Sequence, residues 1–310
     1  MRESLGGTYE LPLAPQLPEG GDAVFVQRRY AALRHFVRSR AAKFGAAIVG
    51  LLLVAAIFAP WLAAHDPTVQ NLSAANLPPF WLHGAKPGYL LGTDELGRDM
   101  LARIIYGARL SAFVGFCVVI IGSTIGVTLG LIAGYVGGII DDVIMRIADV
   151  QLAFPYVLLA IAVIGVVGAN LYTIIAVIGI TSWVQYVRIV RAEVIALRER
   201  EFVQAARAVG CSSFRIIFQH VLPNVTSSVM VIATFEFARA IIFEAALSFL
   251  GLGMPPQVPS WGNMLAEGRQ YLDTAWWMGT FPGLAIMITV MGVNVLGDGL
   301  RDAFDPQLRT

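Results

Sequence analysis

Charge is scarce in this 310-residue chain: Asp, Glu, Lys and Arg together make up 14% of it, against 57% hydrophobic residues. Lysine is rarer still, confined to Lys43 and Lys86. Neither follows a glycine-rich strand-to-helix turn, so there is no G-x-x-x-x-G-K-[ST] loop to cradle a phosphate, and the chain is not itself a nucleotide hydrolase of that type. Its two cysteines, Cys117 in an apolar run and Cys211 in a polar one, give no disulfide framework and have no metal-type partners nearby. The four histidines, His35, His65, His83 and His220, all fall outside the long apolar runs. Paired His, Asp or Ser groups inside spans, which an intramembrane enzyme needs, are therefore missing. A formal net charge of +1, with basic residues clustered only beside apolar runs, argues against nucleic-acid binding.

What the chain has in excess is apolar length. A mean hydropathy of +0.69 exceeds that of a soluble domain and identifies an integral membrane protein. Residues 1–27, with Pro12, Pro15, Pro18, Gly20 and Gly21, read as a flexible tail and not as a cleaved signal. Arg28, Arg29, Arg34, Arg38, Arg40 and Lys43 then precede a first span from about Phe44 to Leu62, which places the N-terminus in the cytoplasm. The polar, aromatic stretch from His65 to Tyr106 falls outside; in it, Thr93 or Asp94 is expected to cap an amphipathic helix leading into the second span. That span, about Leu110 to Ala133, carries Gly122, Gly126, Gly130 and Gly134 in register, a bare stripe that lets another helix approach closely.

Further spans are expected at about Val150 to Val167 and Leu171 to Val190, turned back at Gly168-Ala169-Asn170, then at Val225 to Leu247 and Trp277 to Leu296. The fifth contains Glu236, Arg239 and Glu244, each costly at mid-bilayer, so it belongs inside a bundle. Glu236 and Arg239, one turn apart, can form a buried pair or line a polar path. Residues 248–276 form a second external segment, with a short helix beginning at Ser260-Trp261-Gly262-Asn263. The expectation is an all-helical polytopic protein with six spans, divided into a tail 1–27, an N-terminal region 28–108 and a membrane domain 109–310, both termini being cytoplasmic.

Within the last region, residues 192–224 are charged yet wedged between apolar runs. From Glu201 to Val209 helix formers place Phe202, Ala205, Ala206 and Val209 on one face and Arg200, Gln204 and Arg207 on the other. Gly210 stops this helix, Ser212 or Ser213 can cap a second through Phe214, Ile217 and Val221, and Pro223 ends it. Gln204-Ala205-Ala206, three residues, Gly210, nine residues, His220, one residue, then Leu222-Pro223 resembles the cytoplasmic loop of permease subunits of bacterial ABC importers. Gln204 stands for that family's Glu and His220 for its Ile. Leu91-Gly92-Thr93-Asp94, with Gly97-Arg98-Asp99 after it, is similar to a string of the dipeptide, oligopeptide and nickel branch, and Gly297 to Arg309 is similar to its C-terminal signature.

The resemblance implies that Arg200, Glu201, Gln204, Ala205, Ala206, Arg207 and Gly210 couple to a separate ATPase. It further implies two ABC ATPase subunits using ATP and Mg, a second homologous permease and an extracytoplasmic substrate-binding protein. The implied cargo is a dipeptide or oligopeptide carried across a bacterial cytoplasmic membrane, and this chain holds no cofactor or metal. Nickel or another small solute on the same kind of permease is the alternative cargo. An ion-coupled secondary transporter fits less well, because neither inverted repeats nor helices broken at mid-membrane stand out.

Overall fold

A computed structural model describes residues 39–304, and among them helices are joined by turns with no strand beyond one isolated bridge. The proposed tail 1–27, the arginines before Ser39 and the chain after Phe304 lie outside the described residues. Ser39 caps α1, Arg40–Leu62, by accepting from the Ala42 amide at 3.2 Å. After the segment 63–99 come α2, Met100–Val136; α3, Gly138–Ala153; α4, Tyr156–Val167; and α5, Leu171–Arg198. Three short elements follow: α6, Glu201–Ala208; α7, Ser213–Ile216; and a π turn, Ile217–Val221. The chain ends with α8, Leu222–Phe249, α9, Trp261–Gly268, and α10, Trp277–Phe304.

Four helices, α1, α2, α5 and α10, are long and apolar enough to cross a membrane, and α3 with α4 makes a fifth if counted as one bent span. α8, 28 residues long with three ionisable side chains, is not among them. The expected third span is not straight. Pro155 has no amide hydrogen to continue the ladder, and the chain turns by 85° between α3 and α4, leaving α4 only 12 residues long. The second expected span is part of one 37-residue helix that begins at Met100, so position 109 lies within it. Its cap is Asp99, whose carboxylate accepts from the Leu101 amide at 3.0 Å, and neither Thr93 nor Asp94 takes that place.

The glycine stripe meets α5. A Cβ at Gly126 would lie 2.5 Å from the Trp183 carbonyl oxygen, and one at Gly130 or Gly134 would meet Val190 or Val194 at 2.8 or 2.7 Å. Gly122 faces Ser182 and Tyr186. α2 and α5 therefore approach to backbone distance along four turns, gaining dispersion contact that lipid cannot supply. Outside this pair, α1 and α10 run antiparallel, with Gly45 against Leu296, Ile48 against Gly292 and Ala42 against Gly299. α8 fills the space between α2, α5 and α10.

Candidate functional site

The elbow between α5 and α8 is built by capping chemistry. At the end of α6 the Gly210 amide donates to the Arg207 carbonyl at 2.9 Å and the Cys211 amide to Ala206 at 3.0 Å, with Gly210 at φ 85°. This is the Schellman arrangement, in which the left-handed residue lets two orphan carbonyls be satisfied. Ser212 then accepts from the Arg215 amide at 3.4 Å and opens α7.

Pro223 does not end that run. The chain stays helical from Ser213 to Phe249, because the turn before the proline widens to π geometry, with the Leu222 amide donating to Ile217. Widening the turn absorbs the donor that Pro223 lacks, and the second elbow helix becomes the foot of α8.

The fold decides which side of α6 is covered. Val203 is buried and Ala206 half-buried, whereas Phe202, Ala205 and Val209 are exposed, Val209 to 85%. The side that carries Phe202, Ala205 and Val209 is turned outward. Val203 and Ile216 sit instead in a cluster with Leu131, Tyr135, Val190, Val194 and Val221, which ties the elbow to α2, α5 and α8. Arg207 lies over the Tyr135 ring at 5.0 Å, and Arg198 donates to the Tyr135 carbonyl at 3.4 Å. Gln204 donates to the Glu199 carbonyl at 3.2 Å, while Arg200, at the N-cap position, makes no side-chain cap bond. Glu201 is exposed in the first turn of α6. Phe214 and Phe218, with rings 4.4 Å apart, are exposed beside them. Sequence periodicity missed this pair, since a short helix with two phenylalanines one turn apart reads as a core face.

Within α8, Arg239 donates to Glu236 at 3.1 Å, and its guanidinium lies 5.0 Å over the Phe243 ring, itself against Tyr156 of α4. Glu244 takes no part in that pair. It is buried and accepts from the Ser248 hydroxyl at 2.8 Å. The three ionisable groups of α8 thus form two separate sites.

A further charged cluster joins the segment 63–99 and the first turn of α2 to α9. Asp94 accepts from Arg98 Nε at 2.6 Å and from Arg103 Nη1, and Arg103 also donates to Glu267 of α9 at 2.7 Å. Arg98 reaches Glu95 at 3.3 Å and Glu267 at 3.2 Å. Burial pushes the Glu95 carboxyl above its ordinary pKa. Asp94, Glu95 and Glu267 are close enough to share a cation, and the two guanidiniums already lie among them, although Glu95 Oε2 is buried without a hydrogen-bond partner. Glu267 was not legible as a partner because 164 residues separate it from Arg103.

The chain matches the family model for the binding-protein-dependent transport system inner membrane component over residues 126–310. It also matches the model for the N-terminal TM domain of oligopeptide transport permease C over residues 29–79. It is 44% identical over 274 residues to the di/tripeptide transport system permease protein DppC of Pseudomonas aeruginosa, covering 88% of this chain and 90% of that one. It is 44% identical over 275 residues to the dipeptide transport system permease protein DppC of Escherichia coli K12, covering 89% and 92%. With its counterpart in Haemophilus influenzae it shares 41% over 275 residues, covering 89% and 93%.

Proposed function

The chain belongs to the family of binding-protein-dependent transport system inner membrane components, and from that premise we propose that it is the permease subunit of an ATP-driven importer of dipeptides or oligopeptides. The observation that carries the coupling role is the outward apolar surface of the elbow, where Phe202, Val209, Phe214 and Phe218 are exposed on a segment bracketed by two membrane helices. Such a patch, on a folded element anchored from behind by Val203 and Ile216, suits a protein partner. In this reading the partners are two ATPase subunits that use ATP and Mg, docked on the cytoplasmic face. A second permease stands beside this one in a bacterial cytoplasmic membrane, and an extracytoplasmic protein delivers the peptide.

Movement passes through the elbow by packing. A push on α6 is delivered to α2 and α5 through Leu131, Tyr135, Val190 and Val194, and to α8 directly, because α7 continues into it without a break. Both termini are cytoplasmic, α6 and α7 lie on that side, and the segment 63–99 and α9 lie outside. In this reading the Glu236–Arg239 pair, with Arg239 partly exposed, lines a polar path for the cargo.

The deciding experiment is reconstitution in liposomes with the candidate second permease, ATPase and binding-protein subunits. ATP-dependent dipeptide uptake that requires all components is the expected result, and dipeptide uptake unaffected by removing the ATPase would overturn the reading.

A further inference from the structure

The external segment between α1 and α2 carries a cluster of large apolar side chains at one point. Phe80 and Trp81 are exposed, Phe80 to 65%, with Leu82 beside them, and two prolines, Pro78 and Pro79, stiffen the approach. In water such a cluster is a liability, and single exposed apolar residues would not explain three in succession. The ring contacts show what level of the molecule it occupies. Trp81 meets Phe281 of α10 edge-on at 6.1 Å, and Phe281 meets Trp276 at 5.8 Å. Phe281 lies in the first turns of α10, a helix long and apolar enough to span.

The helix register fixes the depth independently. α1 and α10 are antiparallel, with Ile48 against Gly292. Counting the same number of residues outward along each helix from that contact, at equal rise per residue, brings Trp61 level with Gly279. Trp61 is 77% exposed and rests against Phe58 at 5.4 Å. Trp61, Trp276, Phe281 and, through its ring contact, Trp81 therefore share one level at the outer ends of the two helices. Below that level the exposed side chains are mostly aliphatic and thioether, Leu51, Val54 and Ile57 on α1 and Leu284, Met287 and Ile288 on α10, with Phe58 one turn beneath Trp61 and Phe44 near the far end of α1. An aromatic band directly above an exposed aliphatic face is the pattern of a membrane–water boundary, where amphipathic rings are most favourable.

We propose that residues 80–82 are seated in the outer boundary of the bilayer, anchoring the external segment to lipid beside α10 and not projecting it into water. Lys86 is placed to stay in the headgroup layer. The inference rests on the reading that α1 and α10 span the membrane.

The test uses the chain as purified with its associated subunits and reconstituted in phosphatidylethanolamine–phosphatidylglycerol vesicles. In a Cys117→Ser, Cys211→Ser background, nitroxide labels go on Phe80→Cys, Leu82→Cys, Asp66→Cys and Leu51→Cys. Accessibility to oxygen and to a water-soluble nickel relaxant is compared with and without added binding protein. Labels at 80 and 82 should show an oxygen-to-nickel ratio at least about threefold above that at 66, unchanged by the binding protein. A ratio equal to that at 66 would overturn the proposal, as would shielding from both reagents, which would assign the patch to a protein partner. Lack of oxygen preference at 51 would instead show that α1 does not face lipid, so failure of the spanning reading is seen separately.

Discussion

Arg103 and Asp94 face each other across the entry to α2, with the arginine side chain 1% exposed and the aspartate fully buried. A guanidinium in so dry a place is tolerable because its charge is matched, and the match to this residue of the first turn of α2 is made from two other parts of the chain, Asp94 in the segment before the helix and Glu267 of α9. The pair thereby fixes where the segment 63–99 sits on the helices it packs against.

Asp94→Asn leaves Arg98 and Arg103 sharing a neutral amide. Breaking a buried pair in this way costs about 3–5 kcal/mol, so the variant should lose much of its folded yield and unfold at clearly lower temperature in detergent. Glu267→Gln, at a carboxylate about one-fifth exposed, should cost nearer 1 kcal/mol. Thermal scans that rank the two variants equally would contradict the burial-based ordering.

Gly126→Val drives a branched side chain into the Trp183 carbonyl and the Tyr186 Cβ. Overpacking of this kind costs about 1–3 kcal/mol or more, since backbone cannot step aside. Gly165→Ala on α4, where an added Cβ meets nothing within 4 Å, should be neutral or stabilising by up to about 1 kcal/mol. Comparing resistance to limited proteolysis in the two variants checks the contrast.

Arg239→Leu strands Glu236 in the helix bundle. A double-mutant cycle with Glu236→Gln should show that the second change recovers part of the folded yield lost to the first, with coupling of about 0.5–3 kcal/mol. Strict additivity would mean that the 3.1 Å contact does not hold in the membrane.

Gly210 has open space around a would-be Cβ, so its constraint is the backbone at φ 85° and not crowding. Gly210→Asn should therefore keep uptake near normal, since Asn tolerates the left-handed region, whereas Gly210→Val should lose most of it while still inserting. Ala205→Arg, which leaves the elbow intact but places a large cation on the exposed face of α6, should weaken copurification with the ATPase. Normal ATPase association and uptake in both Gly210→Val and Ala205→Arg would sink the coupling role.

Apolar length and composition were enough to establish an all-helical membrane protein, and the capping residues Ser212 and Ser260 were readable because caps act on amides only three residues away. The glycine stripe announced a close helix contact by its own spacing, though not that α5 would fill it. Which way α6 turns its apolar side depended on the tertiary structure, because α2 and α5 claim Val203 and leave Phe202 and Val209 outside. The bend at Pro155 and the continuity through Pro223 show the same division. A proline announces a missing donor, but whether the chain turns by 85° or widens one turn is settled by what packs around it. Asp94, Arg98, Arg103 and Glu267 mark the limit most sharply: local sequence carries pairings over three or four residues, whereas a buried charge must find whatever opposite charge the fold brings within reach, here across 164 residues.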